Sequence, residues 1–349
     1  MRLSPYLLAG CLASLSLQGH AETVNNLYQV LEPVATQTPD ERSAATQRAL
    51  ETLVLRLTGD PKAIANPALA AVRKDPQQII SQYGYDAGPP QSLQVEFDPV
   101  STDAQLRQAG LATWGSNRPS ILGWWLNDGA DGTSSLVGDG QATANPLRRA
   151  AQHRGLPLRL PMGDLNEQLA ATAKNLEGTD PAPLKTVSER YNADALLAVH
   201  AHQDGDKWQA KWHLWLGGKT DTGTAEGTDQ ATLADALMLA VSERLAPRYL
   251  AKPGASTDIT LQVQGNTLAH YAELGRLLEP FGARLKSVDG DTVVYRVTGS
   301  IDQLRAQLTL AKLQEVQPSP VVASPVAVPG QPTAPAAPTA PAPDLVFHW

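Results

Sequence analysis

The chain has 349 residues, 28 of them basic and 35 acidic, for a formal net charge of −7. That length allows two or three domains at about 150 residues each, and 42% hydrophobic residues supply enough apolar material for packed cores, which excludes a wholly disordered chain. The acidic balance argues against a nucleic-acid binder, and the single cysteine excludes a disulfide framework and any Cys-rich zinc or iron–sulfur site.

Arg2 gives a positive start, Leu3 to Leu17 is largely apolar, and Gly19-His20-Ala21 ends in small residues at the two positions that matter. Residues 1–21 therefore read as a secretory signal cut after Ala21, so the mature protein is expected to be exported. The alternative is a lipoprotein anchored through Cys11 of Leu8-Ala9-Gly10-Cys11, against which the apolar run continues past Cys11. The run is shorter than the roughly 20 residues of a membrane span. No transmembrane segment is expected in the mature chain.

Residues 22–117 read as a first α+β domain. Asn25 to Val34 is strand-like. Pro39-Asp40-Glu41 opens a helix, Ala45, Ala49, Leu50, Leu53, Val54 and Leu57 form its apolar stripe, and Gly59 ends it. A short helix is expected from Pro67 to Gln82, an alternating strand at Leu93-Val95-Phe97, and a helix from Thr102 to Gly110.

Residues 118–252 read as a second α/β domain. Ile121 to Leu126 is apolar on both faces and so predicts a central strand. A loop from Asp128 to Gly140, a helix from Pro146 to His153, a strand from Leu156 to Leu160 and a helix from Leu184 to Tyr191 follow. Ala195 to Gln203 is a strand leading into a hairpin. Taking Asp204-Gly205 as a two-residue loop pairs Gln203 with Asp206. One face then carries Leu197, Val199, Ala201, Trp208, Ala210, Trp212 and Leu214; the other carries His200, His202, Lys207, Gln209, Lys211 and His213. A strand near Thr222 to Gly227 and a buried helix from Leu233 to Leu245 complete the unit.

Residues 253–317 form a third unit: a strand at Ile259-Leu261-Val263, a helix from Leu268 to Phe281, a hairpin of Ala283 to Ser287 with Val293 to Val297, and a helix from Ile301 to Ala311. Facing parity in this hairpin requires an odd loop, assigned to Val288-Asp289-Gly290. With a last strand at Leu313 to Val316, the order suggests a ferredoxin-like sandwich. Residues 318–343 are a Pro/Ala-rich linker, expected to be extended and disordered. Residues 344–349 are a final apolar strand. Leu345, Phe347 and Trp349 dock it on its own sheet, add it to a partner's sheet edge, or leave it a frayed tail. The fold class expected is α+β: two or three small sandwich-like modules with mostly antiparallel sheets, the last ferredoxin-like.

Leu27-Tyr28-Gln29-Val30, Leu55-Arg56-Leu57-Thr58-Gly59, Gln82-Tyr83 and above all Leu106 to Leu111 with Trp114-Gly115-Ser116-Asn117-Arg118-Pro119 resemble one family. It is the proteobacterial exported family designated domain of unknown function 2066 (DUF2066), and the likeness runs from about Asn25 to about Val316. The resemblance implies a Gram-negative, periplasmic setting and carries over no catalytic residue.

His200 and His202 share one strand face about 7 Å apart, while His213 falls roughly 13 Å from His200 in the derived register. That leaves at most a loose two-histidine metal site. Gly217-Gly218-Lys219-Thr220 lacks the earlier glycine and following helix of a phosphate loop, since position 213 is His213. Asp164, Glu167 and Glu189 are carboxylates that could pair in space for glycan hydrolysis, with capping or salt-bridge roles as the favoured reading. Trp124 and Trp125 point to opposite faces, so one is a candidate for exposure. Trp114, Asn117 and Arg118 are partner-binding candidates, Arg118 for a carboxylate, with a structural ion pair or hydrogen bonds from Arg118 to loop carbonyls as the structural alternatives. No catalytic set and no cofactor site is legible. The expected function is a non-enzymatic binding or assembly accessory of the cell envelope, acting on another envelope protein. The alternative is a glycan-binding protein or weak glycan hydrolase, which needs a Trp-lined cleft with two carboxylates about 5–9 Å apart.

Overall fold

The computed structural model describes residues 22–24, 26–88, 90–250, 257–316 and 343–349. The signal read at 1–21, Cys11 and linker residues 318–342 lie outside the described residues. The fold is mixed α+β, with several small antiparallel and mixed sheets.

The first unit contains β1 (Glu22–Thr23), β2 (Gln29–Pro33), α1 (Pro39–Thr58), α2 (Ala70–Lys74), β3 (Ile80–Asp86), β4 (Ser92–Phe97) and α3 (Pro99–Gln108). Thr38 caps α1 by accepting from the Glu41 N–H, and Gly59 ends it in the left-handed region at φ 65°. The apolar stripe of α1 packs Leu50, Leu53 and Leu57 into one core with Val30, Val95 and Phe97 of the antiparallel sheet β2-β4-β3. The helix expected over 67–82 stops at Lys74. Asp75 is extended and its carboxylate caps a short 3₁₀ turn opened by Pro76, and Ile80 to Asp86 then pairs with β4 as a strand.

The second unit contains β5 (Asn117–Arg118), β6 (Ile121–Asp128), β7 (Ser134–Leu136), α4 (Ala144–Arg154), β8 (Leu158–Arg159), α5 (Leu165–Ala170), α6 (Ala173–Leu176), α7 (Ala182–Ser188), β9 (Ala195–Asp204), β10 (Lys207–Leu216), β11 (Lys219–Gly227) and α8 (Gln230–Tyr249). The sheet runs β11-β10-β9-β6-β7, with β8 beside the start of β6 and β6 parallel to β9. Helices α4 and α8 cover one face; α5, α6 and α7 cover part of the other. With helices on both sides, Trp124 and Trp125 are both buried, and the expectation that one is exposed does not hold. The segment expected to be a loop, 128–140, contributes β7. In the hairpin, Asp204 pairs with Lys207 across Gly205-Asp206, so the turn sits one residue later than expected on each strand. The face assignment survives because the pairing moved by an even number.

The third unit contains β12 (Thr257–Gln264), α9 (Leu268–Leu278), β13 (Arg284–Asp289), β14 (Thr292–Gly299), α10 (Ile301–Leu310), β15 (Gln314–Glu315) and β16 (Leu345–His348). Its sheet runs β13-β14-β12-β16-β15. The three-residue loop expected at 288–290 is a two-residue turn, Gly290-Asp291. A bulge between Leu285 and Ser287 absorbs the odd residue instead. Of the three readings for residues 344–349, the structure shows docking on the chain's own sheet: β16 pairs in parallel with β12 and antiparallel with β15, and Phe347 is fully buried. Strand β16 thus has both edges occupied.

Helix α10 packs on α8, with Leu310 joining the second unit's core and Gln307 donating to the Asn117 carbonyl at 3.4 Å. No helix among the described residues is long and apolar enough to cross a membrane. Gly59 links the first unit to α8, because a Cβ there would lie 2.2 Å from the Ala246 Cβ. Gly59→Ala is therefore expected to cost about 2–4 kcal/mol, left-handed strain and overpacking together. Urea denaturation reads this as a lowered midpoint; an unchanged midpoint would show that the contact is not formed.

Candidate functional site

The residues singled out at the first boundary form a buried joint. Arg118 is 0% exposed. Its Nε donates to the Gly115 carbonyl at 3.0 Å, Nη1 to Arg154 at 2.9 Å and Gly155 at 3.3 Å, and Nη2 to Arg56 at 2.7 Å and Trp114 at 3.0 Å. The guanidinium lies 4.2 Å from the Trp114 ring centroid, and Trp114 stacks on Tyr249 at 5.5 Å. Arg56 is buried beside it and donates to carbonyls of Leu27 at 2.9 Å, Gln29 at 2.6 Å and His153 at 3.3 Å. Desolvation lowers both guanidinium pKa values, to about 10 for Arg56 and about 9 for Arg118, where repulsion from Arg56 adds to burial. Both stay charged at neutral pH. Trp114 and Arg118 are closed off from any partner in this fold, and Asn117 is half-buried in the β1–β5 ladder. Of the two structural alternatives, Arg118 binds loop carbonyls, and the expected ion pair is replaced by these five main-chain acceptors.

His200 is held between two carboxylates. Its Nε2 lies 2.7 Å from Asp128 Oδ2 and its Nδ1 2.7 Å from Glu177 Oε1. Asp128 also accepts from Ser134 at 2.5 Å, and Glu177 from Lys211 at 3.1 Å. Burial alone lowers the imidazole pKa, but the hydrogen bonds to Glu177 and Asp128 outweigh it and raise the value above the ordinary one. The result is a hydrogen-bonded clamp tying the residue after α6 to β6 and β9. His202 has its ring centroid 6.2 Å from that of His200. His213 lies opposite Ala198, closer to His200 than the expected register placed it. No group of three His, Cys, Asp or Glu among the described residues is set to hold a metal.

A groove of about 600 Å³, not expected from the sequence, opens on the second unit. One wall is α7 and the turn after it, with Lys185, Glu189 and Asn192. The other is the β10–β11 hairpin end, with Trp215, Lys219 and Thr220. Gly217 and Gly218, both at positive φ (57° and 74°), form the two-residue turn that brings this wall round. The segment weighed as a phosphate loop is thus a hairpin turn. The groove offers an aromatic ring, an amide and charges of both signs. Ser188, also on its wall, accepts from the Trp124 indole at 3.0 Å and donates to the Leu184 carbonyl at 2.7 Å. Asp194 accepts from the Ser120 hydroxyl at 2.8 Å and pairs with Lys312 at 2.7 Å. Asp164 and Glu167 form the capping box of α5, and Glu167, fully buried, binds Arg190 and Tyr191. Of the carboxylates weighed for catalysis, only Glu189 faces the groove.

Fold and site together define a mixed α+β chain of three packed units with a polar, Trp-walled groove. Residues 21–115 match the family described as Domain of unknown function (DUF8605). The resemblance to a family of unknown function holds at that level, but the match is to this family and not to DUF2066, and it ends at Gly115 instead of reaching Val316. No curated protein and no solved structure matches the chain.

Arg118→Lys offers at most three donors where the guanidinium places five hydrogen bonds. It is expected to cost about 3 kcal/mol or more in chemical denaturation. For His200, the raised folded pKa means that its contribution is full below about pH 6.5 and is lost as pH rises through the folded value. The depressed carboxylates Asp128 and Glu177 remove it again as pH falls through theirs. His200→Gln is expected to cost roughly 1 kcal/mol near pH 5.5 and less near pH 9. In an NMR titration, Glu177→Gln should move the His200 midpoint downward.

Proposed function

We propose that this protein is a non-enzymatic binding accessory of the bacterial cell envelope, exported through the signal read at residues 1–21, and that a segment of another envelope protein seats at the β10–β11 hairpin. One observation carries the reading. Strand β11 is a nine-residue strand at the end of its sheet, and the groove opens at the start of that strand. A partner strand added to β11 gains main-chain hydrogen bonds, and the groove gives a place for a side chain beside Trp215 and between charges of both signs. Ser188 and Asp194 are already engaged within the fold, which favours recognition over bond breaking.

Trp215 supports a second reading, in which the groove takes a glycan by stacking. A hydrolytic version has weaker support, because Asp194 is tied to Ser120 and Lys312 and leaves Glu189 without a free carboxylate partner.

The experiment is capture from gently crosslinked envelopes with wild type and with Trp215→Ala/Lys219→Glu, alongside calorimetric titration of soluble peptidoglycan fragments. A defined protein lost from the double variant, with binding weakened at least about tenfold, supports strand addition. Fragment binding abolished by Trp215→Ala supports the glycan reading. Binding of neither class, or binding indifferent to both substitutions, rejects the groove as the site.

A further inference from the structure

Strand β16 is joined to its sheet in an unusual way. It lies antiparallel to β15, with Gln314 opposite His348, Glu315 opposite Phe347, and the Val316 N–H donating to the Val346 carbonyl at 2.8 Å. Chain leaving Val316 is therefore beside Val346 already, and a turn of about two to five residues closes such a pair. Instead 29 residues, 317–345, lie between Val316 and Val346, and nine of them are proline. Relative to a two-residue turn, closure through that length lowers the effective concentration of the strand about 50-fold.

The strand also carries its own recognition. At one end the Asp344 N–H donates to the Thr260 carbonyl at 2.9 Å, and its Oδ2 accepts from the Thr260 N–H at 2.7 Å. At the other, the Trp349 indole donates to Asn266 Oδ1 at 2.9 Å and its ring stacks on His270 at 4.2 Å. Between these clamps Leu345 and Phe347 are buried in the core. The slot, for its part, is bounded by strands of a complete unit. Residues 257–316 supply β-α-β-β-α-β in order, and β12 and β15 run antiparallel to each other on either side of β16. In a ferredoxin-like sheet these two would be neighbours; here a strand from elsewhere in the chain has been let in between them.

We infer that the slot between β12 and β15 is a strand-binding site for an extended peptide with an acidic residue, an aliphatic residue, an aromatic residue and a tryptophan spaced as in Asp344, Leu345, Phe347 and Trp349, and that the chain's own segment is its displaceable occupant. The ligand is an extended segment of another protein with that pattern. A second copy of this chain is disfavoured, because it brings the identical segment and gains no contact over the intramolecular pairing, which acts at roughly millimolar effective concentration, whereas a foreign segment can fit the slot better than residues 344–349 do. The inference is independent of the groove at β10–β11.

The test uses the full chain with a site-specific protease sequence inserted between Gly330 and Gln331, and a fluorescein-labelled peptide of residues 343–349 as the probe. Fluorescence anisotropy is followed before and after cleavage. Once cleaved, the chain should take up the peptide, and the uncleaved chain should bind at least about 30-fold more weakly. A Phe347→Ala peptide should not bind, and a Trp349→Ala peptide should bind about tenfold more weakly. Since anisotropy reports uptake even if the unit must refold around the peptide, loss of the strand on cleavage does not blur the result. The inference is overturned by a cleaved chain that keeps its own segment against excess peptide, or that binds peptide no better than the uncleaved chain. Uncleaved chains that dimerise by exchanging this segment at micromolar concentration would overturn the choice of a foreign ligand.

Discussion

A guanidinium taken out of water is tolerable only if its N–H groups all find oxygens, and the full cost of a missing partner falls on the fold. Arg118 meets this with five main-chain hydrogen bonds drawn from three places: the 114–115 stretch, the end of α1 at Arg56, and the end of α4 at Arg154 and Gly155. Arg56 draws on the 26–29 stretch and again on α4. The two cations therefore fix the first unit against the second without a carboxylate between them. Gly155 shows how tightly. It closes α4 at φ 63°, and a Cβ there would sit 2.9 Å from Arg118 Nη1 and from Arg56 Cγ. From Arg118 the constraint runs on through Ser120, whose N–H and hydroxyl both bind Asp194, and through Asp194 to Lys312 of the third unit. Asp194 lies on the groove wall. The position of that wall therefore follows from the joint.

Where the chain's own periodicity dominates, the sequence is a good guide. The stripe of α1, its Pro39 start and Gly59 stop, and the two faces of the β9–β10 hairpin can all be read residue by residue. The hairpin turn was misplaced by one residue on each strand, yet the faces stayed right because parity, not loop identity, sorts side chains. The β13–β14 hairpin shows the converse. Parity correctly demanded an odd residue, but a bulge at Lys286 supplies it inside a strand, and no local signal distinguishes that from a longer loop. The 67–82 segment failed at Pro76, where a helix-compatible pattern meets a residue that cannot donate. The Trp124-Trp125 expectation failed on long-range grounds: six apolar residues in a row already imply covered faces on both sides, and the second cover, α5 to α7, is made of short helices with little periodic signal.

The surfaces proposed to bind lie mostly in this illegible part. The groove is made by two segments, 185–194 and 215–220, which periodicity assigns to separate elements and only the sheet brings together. The histidine site was legible as a face but not as chemistry. His200 and His202 share a face as expected, yet Asp128 and Glu177 reach His200 from β6 and from beyond α6, and convert a metal candidate into a charged clamp. With both ring nitrogens of His200 hydrogen-bonded to carboxylates, neither has a free lone pair for a metal.

Sheet edges set what the protein can add to itself. Short or irregular edges resist pairing, as bulges and charges do. Strand β15 has two residues, β7 three, and β2 five ending at Pro33. Strands β3 and β13 each carry a bulge. Strand β11 alone among these edges holds nine residues in unbroken register with its neighbour. Its side chains away from the core are Thr220, Thr222, Thr224 and Glu226, polar enough to stand in water and small enough to let another strand approach. Residues 345–348, for which partner addition was the alternative to docking on their own sheet, are by contrast the best covered in the third sheet. The same chain thus keeps one long edge open at the β10–β11 hairpin and closes a slot elsewhere with a strand on a long tether, so that binding to the first needs no rearrangement and binding to the second needs a displacement.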